Sequence, residues 1–287
     1  MSFAAVMVHV DLAEPRDERV RLAAGLSSRF HSTLIGVAAW EPRPPLIYGG
    51  VVVDTEPTES LLQGMSDQLA EAGEHFRTVV GPDQPTEWRA AIDSPTEFLV
   101  REARAADLII VGRNRVPGDL RRTVDPGATI LRAGRPVLVV PTDVDSLKAE
   151  RVVVGWTDTR EARRALRDSL PLIRESLSVV IIEIVDFGGE KQAQTHIDDV
   201  ARYLARHHIA VTVRTTAYSA GSVQAELIRV AEEINADLIT PIGPSRDELV
   251  PRIGEQCEQH RTDADRRDQE APGHLTTTTS GSIPAGG

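Results

Sequence analysis

Two stretches of this sequence, 130 residues apart, read almost the same. Val100-Arg101-Glu102 leading into Ala106-Asp107-Leu108-Ile109 is echoed by Val230-Ala231-Glu232 leading into Ala236-Asp237-Leu238-Ile239. In each, the end of an amphipathic helix runs straight into an apolar strand. A repeat of that spacing predicts two copies of one α/β module. A chain of 287 residues has room for both.

Apolar spacing supplies the elements of the first copy. The run 3–10, ending at Asp11, predicts a first strand, and Val20, Ala23, Ala24, Ser27 and Phe30 predict a helix after it. Residues 34–40 form a second buried strand. Pro42, Pro44, Pro45, Gly49 and Gly50 make most of 41–55 a loop. Leu62, Met65, Leu69, Ala72, Phe76 and Val79 predict a longer helix, followed by a short third strand at 86–92. Ser94-Pro95-Thr96-Glu97 has the form of a capping box, with Pro95 opening the first turn and Glu97 reaching back. That helix delivers a fourth strand at 106–112, and 135–141 supplies the fifth. Near-continuous apolar strands alternating with helices predict a parallel sheet covered on both faces.

Residues 142–150 read as a linker. In the second copy, strands are expected at 151–156, 179–185 and 210–217 and from 236. Helices are expected at 161–174, 196–208 and 222–235. Beyond Ile239 the pattern stops. Pro241 falls inside what should be a central strand, where it cannot donate to the ladder. After Pro244 the only Leu, Ile or Val residues are Leu249, Val250, Ile253, Leu275 and Ile283, too few to offset ordering entropy. The expected organisation is a first domain at 1–141, the linker, a truncated second domain at 151–243, and a largely disordered tail at 244–287. A change of reading frame would produce so abrupt a loss of pattern, and the coding DNA would reveal it.

Composition narrows the partners. A net charge of −11 with no basic run argues against nucleic acid or an anionic membrane. Cys257 is the single cysteine, so no internal disulfide or cysteine cluster forms. The apolar run at the N-terminus is short and contains His9, which suits a strand rather than a signal peptide or membrane span. A soluble cytoplasmic protein is expected.

The strand ending in Asp11, the strand Ala106-Asp107-Leu108-Ile109-Ile110-Val111-Gly112 and the ending Gly134-Arg135-Pro136-Val137-Leu138-Val139-Val140-Pro141 resemble the landmarks of the universal stress protein family. Gly155-Trp156-Thr157-Asp158-Thr159-Arg160-Glu161-Ala162 resembles the start of the second domain in tandem members. The resemblance spans residues 3–240. It implies two copies of a five-stranded parallel-sheet, adenine-nucleotide-hydrolase-like (Rossmann-like) domain, the second lacking its last strand. In ATP-binding members the first strand ends in an Asp near adenine and ribose. A Gly-x-x-Gly after strand four, then nine residues and Gly-Ser or Gly-Thr, bring backbone amides to the phosphates. The nucleotide contacts implied here are Asp11, Ala39, Gly112, Arg113 and Arg115, with Asp158 and Gly243 in the second copy.

Both copies depart from that pattern. Arg115 stands at the second glycine, and Asp125-Pro126 replaces Gly-Ser. Pro126 has no N–H for a phosphate, and Asp125 would set a negative charge beside one. Asp125-Pro126-Gly127 better suits an N-cap and first-turn proline. In the second copy Asp158 is expected at the first-strand Asp position. Gly243 supplies at most one glycine of the loop, one position later than the repeat predicts. A complete ATP site is therefore expected in neither. Asp11 and Asp158 each precede a glutamate by three, so an N-cap reading stands beside the nucleotide reading. Arg113 and Arg115 read either as anion ligands or as solvated loop charges.

No P-loop, GxGxxG, Ser-His-Asp, paired-carboxylate or metal-ligand spacing is present. The resemblance therefore implies a stress-response protein that acts by association and not as an enzyme, with no cofactor. The alternative is a regulatory module that binds ATP or AMP. The expected partners are an unidentified protein and a second copy of the chain. The second copy would pair along the edge strand at 136–141, bounded by Pro136 and Pro141.

Overall fold

The apolar runs become strands, the inner ones buried on both faces under helices and the edge ones only in part. In the first half these are β1 (Ala5–His9), β2 (Thr33–Ala39), β5 (Thr86–Ala91), β6 (Leu108–Gly112) and β7 (Val137–Val140). The helices between them are α1 (Asp17–Phe30), α2 (Glu59–Val80), α3 (Pro95–Glu102) and α4 (Pro126–Arg132). Within the segment expected to be mostly loop, β3 (Ile47–Tyr48) and β4 (Val51–Val52) pair as a short antiparallel hairpin. The second half contributes β8 (Arg151–Trp156), α5 (Arg160–Ile173), β9 (Ser178–Val185), α6 (Glu190–Arg206), β10 (Val211–Ala217), α7 (Val223–Glu233) and β11 (Leu238–Thr240). This computed structural model describes residues 2–12, 17–43, 47–48, 51–52, 57–113, 121–185, 190–217 and 223–240. The expected tail, Cys257 and Pro241 lie outside them.

The strands form two parallel sheets, in the orders β5-β2-β1-β6-β7 and β10-β9-β8-β11. In both, the first strand of the half lies between the second and the fourth. The shared Ala-Asp-Leu-Ile motif does the same work in each. Asp107 accepts from the backbone N–H groups of Ala4 (2.7 Å) and Ala5 (3.1 Å). Asp237 accepts from those of Glu150 (2.9 Å) and Arg151 (2.9 Å). Each aspartate thus ties the start of the first strand to the start of the fourth.

Alternate residues of β1 part to opposite faces, as the pleat requires. Val6 and Val8 join Leu34, Leu22 and Leu26 on the α1 side, while Met7 packs with Val37, Phe98 and Leu99 on the α3 side. The cluster on the α1 side also takes in Ala149 and, from the second half, Val152, Val154, Leu166 and Ile197, with Val144 and Leu147 packed against it. Arg29 adds a polar tie, donating to the Lys148 carbonyl (2.9 Å) and to Glu175 (3.3 Å).

Helix ends follow local chemistry. Asp125 caps α4, its carboxylate accepting from Ala128 N–H at 3.1 Å, with Pro126 in the first turn as the sequence predicts. At α3 the capping box does not close. Ser94 makes no side-chain cap bond, and Glu97 forms a bidentate pair with Arg132 of α4 instead. His31, His208 and Asn235 adopt left-handed backbone (φ 54°, 63° and 50°) just past α1, α6 and α7. The following residue then donates back over the last turn, as Ser32 N–H does to Ser27 O at 2.9 Å. No helix among the described residues is long and apolar enough to cross a membrane.

Candidate functional site

In an open parallel sheet, ligands bind at the carboxyl ends of strands where the chain order reverses. In the first sheet that point lies between β1 and β6. β1 ends in His9, with Asp11 two residues on, and β6 ends in Gly112. Asp11 and Gly112 both lie here, against the Arg19 guanidinium.

The crevice between them is filled from within the chain. Arg19, two residues into α1, turns its guanidinium over the strand ends. Its Nη1 donates to the His9 carbonyl (3.0 Å) and its Nη2 to Asp11 Oδ2 (2.9 Å). The other Asp11 oxygen lies 3.3 Å from His9 Nδ1. The Arg19 and Asp11 side chains are 6% and 9% exposed. Burial opposes ionisation of Asp11, but the hydrogen bonds and charges of His9 and Arg19 outweigh it. They hold the carboxyl well below its ordinary value. A Cβ on Gly112 would sit 2.2 Å from Arg19 Nη2. A side chain at 112 would have to push the guanidinium of the chain's own arginine aside.

The N-cap reading of Asp11 turns on residues 13–16, which lie outside the described residues. The Asp11 carboxylate is engaged by Arg19 and His9. The sequence reading missed Arg19, although a signal was available. Position 19 precedes Leu22, Ala23 and Leu26 by three, four and seven, which places it on the buried stripe of α1.

The remaining candidates disperse. Ala39 is buried in the apolar cluster with Phe98 and Val124, so its side chain faces core. Arg113 continues the pairing of β6 with β7, its N–H donating to Val140 O at 2.9 Å. Beside the mouth, the Arg122 guanidinium stacks 3.8 Å above the ring of Trp40, a contact the sequence did not signal. Arg115 and Gly243 lie outside the described residues.

In the second sheet the register corrects the position assigned to Asp158. Val6 pairs with Leu34 and Leu108, and Val152 pairs with Val179 and Leu238. Counting on from these, Thr157 stands level with Asp11, and Asp158 falls one residue further. Asp158 is an exposed partner of Arg163 (2.5 Å). Nor does it cap α5. That role belongs to Thr159, whose hydroxyl accepts from Ala162 N–H at 3.1 Å. Among the described residues, no three His, Cys, Asp or Glu side chains gather as a metal site.

No protein-family model matches the chain, and no curated protein matches it. Among solved structures, a universal stress protein from Archaeoglobus fulgidus DSM 4304 superposes with a TM-score of 0.60 at 18% identity, over 82% of this chain and 83% of that one. A universal stress protein from Archaeoglobus fulgidus in complex with dAMP gives 0.32 at 23% identity, over 48% of this chain and 98% of that one. A universal stress protein in complex with cAMP gives 0.35 at 20%, over 50% and 100%. The first of these likenesses establishes the fold: this chain has the α/β, Rossmann-like architecture of a universal stress protein.

Proposed function

We propose that the chain is a universal-stress-type protein that acts by associating with other proteins, without catalysis, and holds no ATP tightly. In this reading, residues 1–141 and 151–243 are two modules of one kind joined by 142–150. The observation that carries it is the guanidinium of Arg19 lying in the first crevice against Asp11 and Gly112. A nucleotide entering there has to displace it. Breaking a buried ion pair costs about 3–5 kcal/mol, which the incoming ligand would have to recover. The start of α4 is no better a phosphate site. The Asp125 carboxylate occupies its first turn, and Pro126 has no N–H. In the second sheet, Thr157 stands where an Asp would be needed.

The alternative reading is an adenine-nucleotide (ATP or AMP) regulatory module. It draws on the meeting of Asp11 and Gly112 at the switch point, where folds of this kind place nucleotides. Titration calorimetry with magnesium and ATP, then with AMP, separates the two. The proposal expects no saturable heat at micromolar concentrations. Saturable micromolar binding of either nucleotide overturns it in favour of the alternative.

A further inference from the structure

The second sheet buries a carboxyl that the reading above does not use. Glu183 of β9 is 7% exposed, and its Oε2 has no hydrogen-bond partner among the described residues. Trp156 of β8 lies level with it in the register, is 5% exposed, and has an equally unpartnered indole Nε1. Both lie on the face covered by α5 and α6. Val154 and Ile181, two residues before them on the same strands, pack there with Leu166 and Ile197.

The first sheet shows what this level of the fold requires by default. Trp156 and Glu183 stand four residues beyond the paired Val152 and Val179. Val10 and Ala38 stand four beyond the paired Val6 and Leu34. Val10 and Ala38 are small, apolar and buried. The second sheet thus places a carboxyl and an indole N–H where its counterpart has plain core. An unpaired polar group at such a depth is costly, and far more so when charged.

Few groups are placed to compensate that charge. His196 of α6 and Asp158 beyond β8 are the titratable groups acting on Glu183 among the described residues. The residues α5 buries, including Ala162 and Leu166, are uncharged. Level with Glu183 on β10 is Thr215, which donates to Gln194 Oε1 at 3.2 Å.

We infer that Glu183 is a proton-operated latch of the second sheet: neutral, it fits beneath α5 and α6; ionised, it draws water in and loosens α6 from β9 and β10. Burial pushes the Glu183 carboxyl up from its ordinary value, Asp158 adds to this, and His196 opposes it. The folded chain therefore binds more protons than the unfolded one between the ordinary and the raised value. Stability contributed by the latch is present at low pH and falls as pH rises through that window. Above the raised value it changes no further.

Hydrogen exchange on the full chain tests this, with the first sheet as internal control and rates corrected for intrinsic pH dependence. As pH rises above the usual glutamate range, protection of β9, β10 and α6 should fall relative to the first sheet. The loss should be about tenfold for each pH unit by which the folded value exceeds the ordinary one. Glu183→Gln, a neutral isostere, should make the ratio independent of pH. Glu183→Ala, the residue at this level in the first sheet, should do the same and keeps the test open if the Gln variant misfolds. Parallel behaviour of both sheets in the wild type overturns the latch. So does a folded variant that keeps the wild-type pH dependence.

Discussion

An arginine on the inner stripe of a helix must find an anion or a row of carbonyls, because burying its charge unpaired is prohibitive. Arg19 finds both, in Asp11 and the His9 carbonyl. Apolar periodicity shows that position 19 faces inward. It cannot show that the guanidinium will reach across to the strand ends, since that depends on how α1 sits on the sheet. For the same reason Asp11 was legible as a residue at the crevice and illegible as one already neutralised. The pair has a pH signature. Asp11 has a folded value below its unfolded one, so its stabilisation is complete above the ordinary carboxylate range and drains away as pH falls below it. Urea denaturation across pH 3–7 should show the wild type losing stability on acidification more steeply than Asp11→Asn. At neutral pH that variant should be about 3 kcal/mol less stable, because Arg19 is left buried without its anion.

At the scale of elements, strands and helices were legible because period-2 and period-3.6 patterns survive burial. Helix starts were less so. Several acceptors within a turn compete for the same N–H groups, and a one-residue shift in chain entry decides which wins. At α5 the extended backbone at Thr159 (φ −117°, ψ 163°) aims its hydroxyl at Ala162 and leaves Asp158 to Arg163. At α3, Asp93 takes the Ser94 N–H (2.7 Å) and pairs with Arg101, so the expected box stays open. Thermal denaturation should therefore separate two neighbours that the sequence makes look alike. Thr159→Ala should cost about 1 kcal/mol as a lost cap. Asp158→Ala should cost under about 0.5 kcal/mol as a lost surface pair.

For the whole molecule, the internal repeat carried the most information. It anticipated two parallel sheets of one order, and the two aspartates at its centre explain its form, since each ties strand one to strand four. What it could not reveal is how differently the two sheets treat their carboxyl ends: an arginine over the first, a buried carboxyl and indole in the second. Those differences rest on single positions in otherwise apolar runs, where pattern is blind to chemistry. The repeat also leaves β7 paired on one side only, with β6, among the described residues. Its Val137, Leu138 and Val139 are half-buried. Pairing of two chains along 136–141 remains our proposal. Light scattering over a concentration series should show dimer mass growing with concentration, and Leu138→Lys should suppress it. A wild-type chain that is monomeric throughout counts against the proposal.

The most direct test of the filled crevice is nuclear magnetic resonance of the arginine side chains, with Arg19→Lys assigning the Arg19 signal. Held by His9 and Asp11, the Arg19 guanidinium should give a slowly exchanging resonance that stays in place as magnesium and ATP are added to millimolar concentration. A saturable shift or broadening of that resonance would mean that nucleotide displaces the guanidinium, and would contradict the account.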